Sequence, residues 1–202
     1  MRMIADFAPG DVEAGVGLAL QDDDGHYLFG LAGLRNHCSS GELFYAGIGG
    51  HREEGEDWLT CAYREAYEEI GTAIEILPAP ITWYIPHHDA IQQVEIIDHP
   101  RPMALYEMVY PLGTSRAGNL YHIVIYKARL QDRPENLQQD EHQGIIALTP
   151  EQVIWGLERK PTLADLLDEG AIIVAGGEVV DPKTRLYPIG TALALARLLR
   201  SI

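Results

Sequence analysis

The chain has 202 residues, of which 47% are hydrophobic and 22% are charged. This composition provides enough apolar material for a buried core, which excludes a disordered chain, and the length suits one domain with or without an extension. The 30 acidic and 15 basic residues give a formal net charge of -15. So acidic a surface argues against a nucleic-acid polymer or an anionic membrane as the partner.

The cysteine content and the hydropathy pattern indicate a cytoplasmic protein. Cys38 and Cys61 are the two cysteines of the sequence and form no Cys-x-x-Cys pair. This argues against a disulfide scaffold and a structural zinc site, so we expect two reduced thiols. The first ten residues lack an apolar signal core, and no apolar run approaches the roughly 20 residues that span a bilayer.

The N-terminal third predicts a β-hairpin and then a strand. Residues 16–20 and 27–31 are apolar runs that flank the sequence Asp-Asp-Asp-Gly at 22–25. An Asp-Gly turn between two such runs is typical of a hairpin, and the spacing of the aspartates does not fit an EF-hand loop. A further strand is predicted over 43–48.

Residues 57–70 predict an amphipathic helix. Asp57 suits the N-cap, and Gly71 suits the residue after the last turn. The apolar side chains recur at helical spacing, which indicates one buried face. They are Trp58, Leu59, Ala62, Ala66 and Ile70.

The remainder mixes strands and helices without strict alternation, which favours a mixed α/β or α+β sandwich. We expect residues 151–202 to form a mostly helical extension packed on a single domain that spans 1–202. Capping the core, covering the site and forming a homodimer interface all remain open for this extension. Strands are predicted at 81–85, 94–97, 104–110, 121–130 and 145–148, and helices at 150–155, 162–168 and 189–199.

The predicted helix carries an unusual set of charges. Glu65, Glu68 and Glu69 have i, i+3 and i+4 spacing, which places three like charges on one face. Arg64 is the one lysine or arginine between Glu53 and the proline at position 100. A divalent cation with a preference for oxygen ligands, Mg²⁺ or Mn²⁺, would relieve the repulsion. The alternative is a solvated acidic face.

The sequence around these residues resembles the Nudix box. In words, the box is Gly, five residues, Glu, seven residues, Arg-Glu, an aliphatic, any residue, Glu-Glu, any residue, Gly and an aliphatic. Residues 50–72 match every fixed position and depart from the pattern only at the final aliphatic, where Thr72 stands. The fixed positions are Gly50, Glu56, Arg64, Glu65, Glu68, Glu69 and Gly71.

The resemblance implies a fold, a cofactor and residue roles. The fold would be an α/β/α sandwich with a mixed sheet, carrying the box on a loop–helix–loop. Glu65, Glu68 and Glu69 would hold Mg²⁺ or Mn²⁺ with help from the Gly50 carbonyl. Further roles implied by the resemblance are a pairing of Glu56 with Arg64 and a general base at Glu68, at Glu65 or on a later loop. Glu107, Asp140 and Glu141 are the candidates for a later acid, and Glu141 is placed like the additional metal-binding acid of many family members.

Substrate contacts are less well defined by the sequence. Arg35, Arg52 and Arg116, together with His51, are candidates for contacting phosphate groups, and a purely solubilising role is the alternative for each arginine.

The resemblance implies an enzyme that hydrolyses a nucleoside diphosphate linked to another group X, with a small phosphorylated molecule as its substrate. That substrate would be a nucleotide, a nucleotide sugar or a dinucleotide. The alternative is a ligand-binding or regulatory module that keeps the fold without hydrolysis. The box, however, lacks none of its carboxylates.

Overall fold

The computed structural model describes residues 2–10, 12–36, 38–110 and 116–202. Its eleven strands belong to one mixed sheet. They are β1 (Ala14–Gln21), β2 (Tyr27–Ala32), β3 (Glu42–Ala46), β4 (Ile74–Leu77), β5 (Thr82–Ile85), β6 (Gln92–Val94), β7 (Ala104–Val109), β8 (Leu120–Leu130), β9 (His142–Leu148), β10 (Ile172–Gly176) and β11 (Arg185–Pro188). The five helices are α1 (Ile4–Phe7), α2 (Trp58–Ile70), α3 (Pro150–Glu158), α4 (Leu163–Asp168) and α5 (Gly190–Ser201).

The main path of the sheet runs β10-β9-β2-β1-β8-β7-β5-β6. Strands β1 and β8 lie parallel over eight residue pairs at the centre. Seven of the eight residues of β1 and the middle of β8 are buried, because helices cover both faces of the sheet. Strand β4 pairs with β8, and β11 pairs in parallel with β3, off the main path.

Strands β1 and β2 form a hairpin whose strands separate beyond the turn. The two strands pair at Gln21 and Tyr27, beside the turn. Strand β3 pairs with β2, and the chain that follows it runs along β1, where the Leu18 amide donates to the Ile48 carbonyl at 2.9 Å. The start of the box is therefore held inside the sheet and not on a free loop.

Helix α2 begins and ends where its sequence predicts. The Asp57 carboxylate accepts hydrogen bonds from the amides of Leu59 and Thr60 at 2.9 Å, as an N-cap does. Gly71 adopts the left-handed conformation with φ 65° and donates its amide to the Tyr67 carbonyl. Glycine suits this position because a side chain there would be strained.

Two apolar cores lie on opposite faces of the sheet. Helix α2 packs on one face through Cys61, Ala62, Ala66 and Ile70, and the short helix α1 joins the same core through Ile4. Helices α3, α4 and α5 pack on the other face, through Val153, Leu163, Leu166, Leu195 and Leu198 among others. The expected α/β/α sandwich with a mixed sheet is therefore confirmed.

Residues 151–202 contribute strands as well as helices. Strand β10 pairs with β9, and β11 pairs with β3. The sequence analysis did not predict β4, β10, β11 or α1, each of which has only four or five residues. Elements this short depend on their partners in the fold more than on their own periodicity. Among the described residues, no helix is both long and apolar enough to cross a membrane.

The N-terminal end of α5 packs against the loop before the box and against β1. A Cβ atom built on Gly47, just before the box, would lie 2.6 Å from the Thr191 Cβ. A Cβ on Gly17 of β1 would overlap the Thr191 hydroxyl and lie 3.2 Å from Ile123. Two glycines thus make room for one helical side chain, which seats α5 closely against the strand and the loop.

We expect Gly17→Ala to lower the free energy of unfolding by about 1–3 kcal/mol, because the added methyl overpacks this contact. Thr191→Ala in the same chain should recover most of the loss. Urea denaturation measures both changes. Gly10→Ala is the control, since no atom of the described residues lies within 4 Å of a Cβ at Gly10. Equal stability of the Gly17→Ala variant and the unmodified protein would contradict the close packing.

Candidate active site

The loop before α2 brings backbone and carboxylate together. The Val16 amide donates to the Gly50 carbonyl at 2.9 Å, which continues the pairing with β1. Gly49 has φ 137°, and a Cβ there would overlap the Val16 carbonyl. A Cβ on Gly50 would lie 2.5 Å from the Glu65 Oε1 atom. Consecutive glycines therefore let a helical carboxylate approach the loop backbone.

One guanidinium organises the exposed side of α2. Arg64 donates from Nε and Nη2 to both oxygens of Glu56, at 2.9 and 3.0 Å. Its Nη1 atom donates to Glu65 at 2.8 Å and to Glu68 at 3.0 Å. Nη2 also donates to the His51 carbonyl at 3.0 Å. Arg64 thus joins three carboxylates and the loop backbone, and its pair with Glu56 is bidentate.

The shared guanidinium affects these carboxylates unequally. Hydrogen bonds from Arg64 hold the pKa of Glu56 well below its usual range, at about 2. Burial raises the pKa of Glu65 to about 7 despite its hydrogen bond from Arg64, and the nearby charges of Glu69 and Glu68 raise it further. Glu65 therefore lies where negative charge is under-compensated, which is the environment that a cation would relieve.

Glu69 faces a different set of partners. Its Oε2 atom accepts from the Gly49 amide at 3.1 Å and lies 3.0 Å from Nε2 of His142 on β9. About 8% of each of the two side chains is exposed. Glu69 is therefore the buried member of the cluster and links α2 to both the loop and the sheet.

The donor set fits a hard divalent cation. Glu65, Glu68 and Glu69 offer carboxylate oxygens, and Glu65 lies against the Gly50 backbone. In this structure the three carboxylates are not tightly gathered, because Arg64 contacts Glu65 and Glu68 while Glu69 contacts His142.

A second acidic group lies in the hairpin turn. Among the residues described, the one set of three candidate ligand atoms within 4.8 Å of one another is Asp22, Asp24 and His26. The Asp22 carboxylate accepts from the amides of Asp24 and His26, at 3.0 and 2.8 Å, and contacts the His26 ring at 3.1 Å. These bonds form the predicted turn and account for the cluster by themselves.

Two of the proposed substrate-binding arginines have partners of their own. Arg35 pairs at 2.7 Å with Glu141, the expected additional acid, immediately before β9. The Arg52 guanidinium lies 4.2 Å from the ring centroid of Trp58, at the start of α2. Glu141 and Arg35 thus contact each other, while Arg52 stacks beside the box.

Arg116 belongs to a polar group that borders the box. Its guanidinium contacts Glu13, and it lies 3.2 Å from the Tyr110 hydroxyl. Nε2 of His51 lies 2.9 Å from Glu13 and 2.9 Å from Arg116. His51 directly follows Gly50, so the group adjoins the loop, and the His51 ring lies 4.7 Å from that of Tyr121. This places a cation and aromatic rings beside the carboxylates.

The sequence analysis missed His142 and Glu13. His142 immediately follows Glu141, the acid that the resemblance pointed to, and stands at the edge of an apolar strand run. A histidine entering a buried strand is a signal that a polar partner is needed. Glu13 offers no comparable signal, because its partner Arg116 is 103 positions away in the sequence.

Comparisons with known proteins agree with the box. The family model of the NUDIX domain matches residues 12–168. Similar solved structures include a MutT protein from Methanosarcina mazei Go1, with 13% identity, a TM-score of 0.47 and coverage of 70% of this chain and 80% of that chain. Another is a MutT NUDIX hydrolase from Burkholderia pseudomallei, with 18% identity, a TM-score of 0.45 and coverage of 69% and 84%.

A C. elegans Ap4A hydrolase in a binary complex is also similar, with 18% identity, a TM-score of 0.40 and coverage of 69% of this chain and 83% of that chain. No curated protein matches the sequence. The family model covers more than half of the residues, and the box lies within the matched region on the loop and helix described above. The chain therefore belongs to the Nudix hydrolase family.

Proposed function

We propose that this protein is a Mg²⁺- or Mn²⁺-dependent pyrophosphohydrolase that cleaves a nucleoside diphosphate linked to another group X. The substrate would be a nucleotide, a nucleotide sugar or a dinucleotide, and the protein would act in the cytoplasm. We also infer that residues 1–202 form one domain, which is supported by the joining of β10 and β11 to the same sheet as the box.

The observation that carries the proposal is the position of Arg64 among its carboxylates. One guanidinium contacts Glu56, Glu65 and Glu68, and Glu69 lies one residue further along the helix. Three carboxylates thus share one arginine, and a fourth, Glu69, lies on the same helix with other partners. Burial raises the pKa of Glu65 to about 7 against the opposing effect of Arg64, and the charges of Glu69 and Glu68 add to the rise.

Each carboxylate has a distinct part in the proposal. Glu65, Glu68 and Glu69, with the Gly50 carbonyl, would hold the cation, and Glu141 would be a further ligand if it left Arg35. When bound, the cation would supply positive charge to offset that of the phosphate groups and would lower the pKa of an attacking water molecule. Glu56 would fix Arg64 through two hydrogen bonds, so that Arg64 orients Glu65 and Glu68.

The general base would be Glu65 or Glu68. A base works best when its pKa lies near the operating pH. Burial gives Glu65 a pKa of about 7 in the absence of a cation. Glu68 is half exposed and is therefore accessible to water. The choice between them depends on which oxygen remains free when the substrate binds.

Arg35, Arg52 and Arg116 are the proposed phosphate contacts. Arg116 and Arg52 adjoin the loop that carries Gly50 and His51. Both can add positive charge beside the carboxylates, where an anionic substrate requires it. Arg35 would act from the side of β9, where it now pairs with Glu141.

We expect Glu68→Gln and Glu69→Gln each to reduce Mg²⁺-dependent hydrolysis by about 100-fold or more, because each change removes a charge from the metal cluster. The fold should remain intact, since glutamine keeps an acceptor oxygen for the existing donors. The assay separates and quantifies the nucleoside monophosphate and the phosphorylated second product that form from nucleotides, nucleotide sugars, dinucleotides and coenzyme A.

Glu75→Gln is the control for that assay, because Glu75 is an exposed carboxylate on β4 that pairs with Arg129. Unchanged hydrolysis rates in both Glu68→Gln and Glu69→Gln would contradict the assignment of these residues to the metal site. No hydrolysis of any substrate, together with ligand-induced thermal stabilisation, would instead support a non-hydrolytic binding module.

We expect metal-free Glu65→Gln to be more stable than the metal-free unmodified protein at pH 8. The folded-state pKa of Glu65 is about 7, above its ordinary value of 4.5, so folding opposes ionisation of this group. The loss of folding free energy caused by ionised Glu65 is absent below about pH 4.5, grows as the pH rises towards 7 and is fully present above pH 7. Urea denaturation in a chelating buffer at pH 4 and pH 8 measures the difference.

Glu56→Gln is the matched control and should show the opposite sign. The folded-state pKa of Glu56 is depressed to about 2, so its ionised form stabilises the fold above about pH 4.5, and this stabilisation is lost as the pH falls towards 2. Glu56→Gln should therefore be less stable than the unmodified protein at pH 8. Destabilisation by both substitutions at pH 8 would contradict the unequal environments of the two carboxylates.

A further inference from the structure

We propose that His142 is a positioning residue of the site, which holds the carboxylate of Glu69 in place for the cation. This inference rests on the proposed function, because it assigns a role in metal binding. His142 lies outside the box, at the start of β9, and is 73 positions from Glu69. The two side chains meet in the interior of the fold, where about 8% of each is exposed.

Both hydrogen bonds to Glu69 involve the same oxygen. The Gly49 amide donates to Oε2 at 3.1 Å, and Nε2 of His142 lies 3.0 Å from this atom. No donor from the described part of the chain contacts Oε1. The carboxylate is thus fixed through one oxygen, and the other oxygen is left to ligate a cation.

The environment of the His142 ring fixes its tautomer. Its Nδ1 atom is buried and has no hydrogen-bond partner among the described residues. A hydrogen on Nδ1 would be an unsatisfied buried donor, whereas a hydrogen on Nε2 is directed at the Glu69 carboxylate. The ring therefore carries its hydrogen on Nε2 and donates it to Glu69.

Gly30 of β2 makes room for this ring. A Cβ built on Gly30 would overlap Nδ1 and would lie 2.6 Å from the Cγ atom of His142. The glycine has no positive φ, so its role is the space it leaves and not an unusual backbone conformation. Strand β2, strand β9 and the box loop thus meet at one carboxylate of α2, which couples the sheet to the metal cluster.

Partners that orient a metal ligand typically contribute about 10- to 100-fold to metal affinity or activity. We expect His142→Leu, which removes the donor and retains similar bulk, to weaken Mn²⁺ binding by about that factor. His142→Gln keeps an N–H donor on a flexible side chain and should restore most of the affinity. Isothermal titration of the substrate-free, full-length protein with Mn²⁺ measures this, and urea denaturation of the same samples checks the fold.

His122→Leu is the matched control. His122 is also a largely buried histidine, on β8, and its Nε2 atom lies 4.0 Å from Glu107 and not beside the box carboxylates. Its replacement should leave Mn²⁺ affinity unchanged. A loss of stability without a loss of affinity in His142→Leu would mean that the histidine serves only to fill the core, and would overturn the inference.

Gly30→Ala provides a second test that leaves both polar side chains in the protein. The added methyl should displace the His142 ring and weaken Mn²⁺ binding. In the Gly30→Ala/His142→Leu double variant, the two losses should not add, because they remove the same contact. Fully additive losses would contradict the inference. If His142→Leu fails to fold, Gly30→Ala alone provides the test, and an unchanged Mn²⁺ affinity in the folded Gly30→Ala variant would overturn the inference.

The outcomes separate this inference from the proposed function. If the unmodified protein binds Mn²⁺ and His142→Leu binds it equally well, only the positioning role is overturned. Equal losses in His142→Leu and His142→Gln would also overturn that role, since the donor would then be irrelevant. If the unmodified protein binds no Mn²⁺, the proposed function and the positioning role are both wrong.

Discussion

The electrostatic balance around Arg64 constrains the rest of the site. The guanidinium contacts Glu56, Glu65 and Glu68, and the fourth carboxylate, Glu69, is buried against the sheet. Burying like charges is costly unless positive charge accompanies them. Hydrogen bonds from Arg64, the Gly49 amide and His142 to these carboxylates offset part of this free-energy cost. Burial, together with the charges of Glu69 and Glu68, raises the pKa of Glu65 above its ordinary value, and a divalent cation would favour the ionised form.

The architecture of the sheet makes this arrangement possible. Strands β1 and β2 pair only beside their turn, so the box loop can run along β1 and place Gly50 against Glu65. Helix α5 supports the loop from the other face through Thr191. Helix α5 therefore supports the site, because Thr191 packs against Gly17 of β1 and against Gly47 in the loop before the box. The loop that carries Gly49 and Gly50 is held in place by this rigid scaffold.

The sequence was most informative where the signal is local. The hairpin, the capped helix and the spacing of Glu65, Glu68 and Glu69 all follow from residues close together in the chain. The contacts of Glu69 with His142 and of Glu13 with Arg116 join residues far apart in sequence, and no periodicity reveals them. Strands β10 and β11 were missed for the same reason, because pairing with β9 and β3 defines them. The group X stays unassigned, since its contacts come from segments outside the box.

The location of a bound cation tests the central claim most directly. Crystals soaked in Mn²⁺ and measured near the manganese absorption edge would give an anomalous difference peak at the ion. The account predicts this peak within about 2.5 Å of oxygens from Glu65, Glu68 or Glu69, the range expected for direct carboxylate ligation. A peak found instead only at the turn of Asp22, Asp24 and His26, with none at α2, would contradict it.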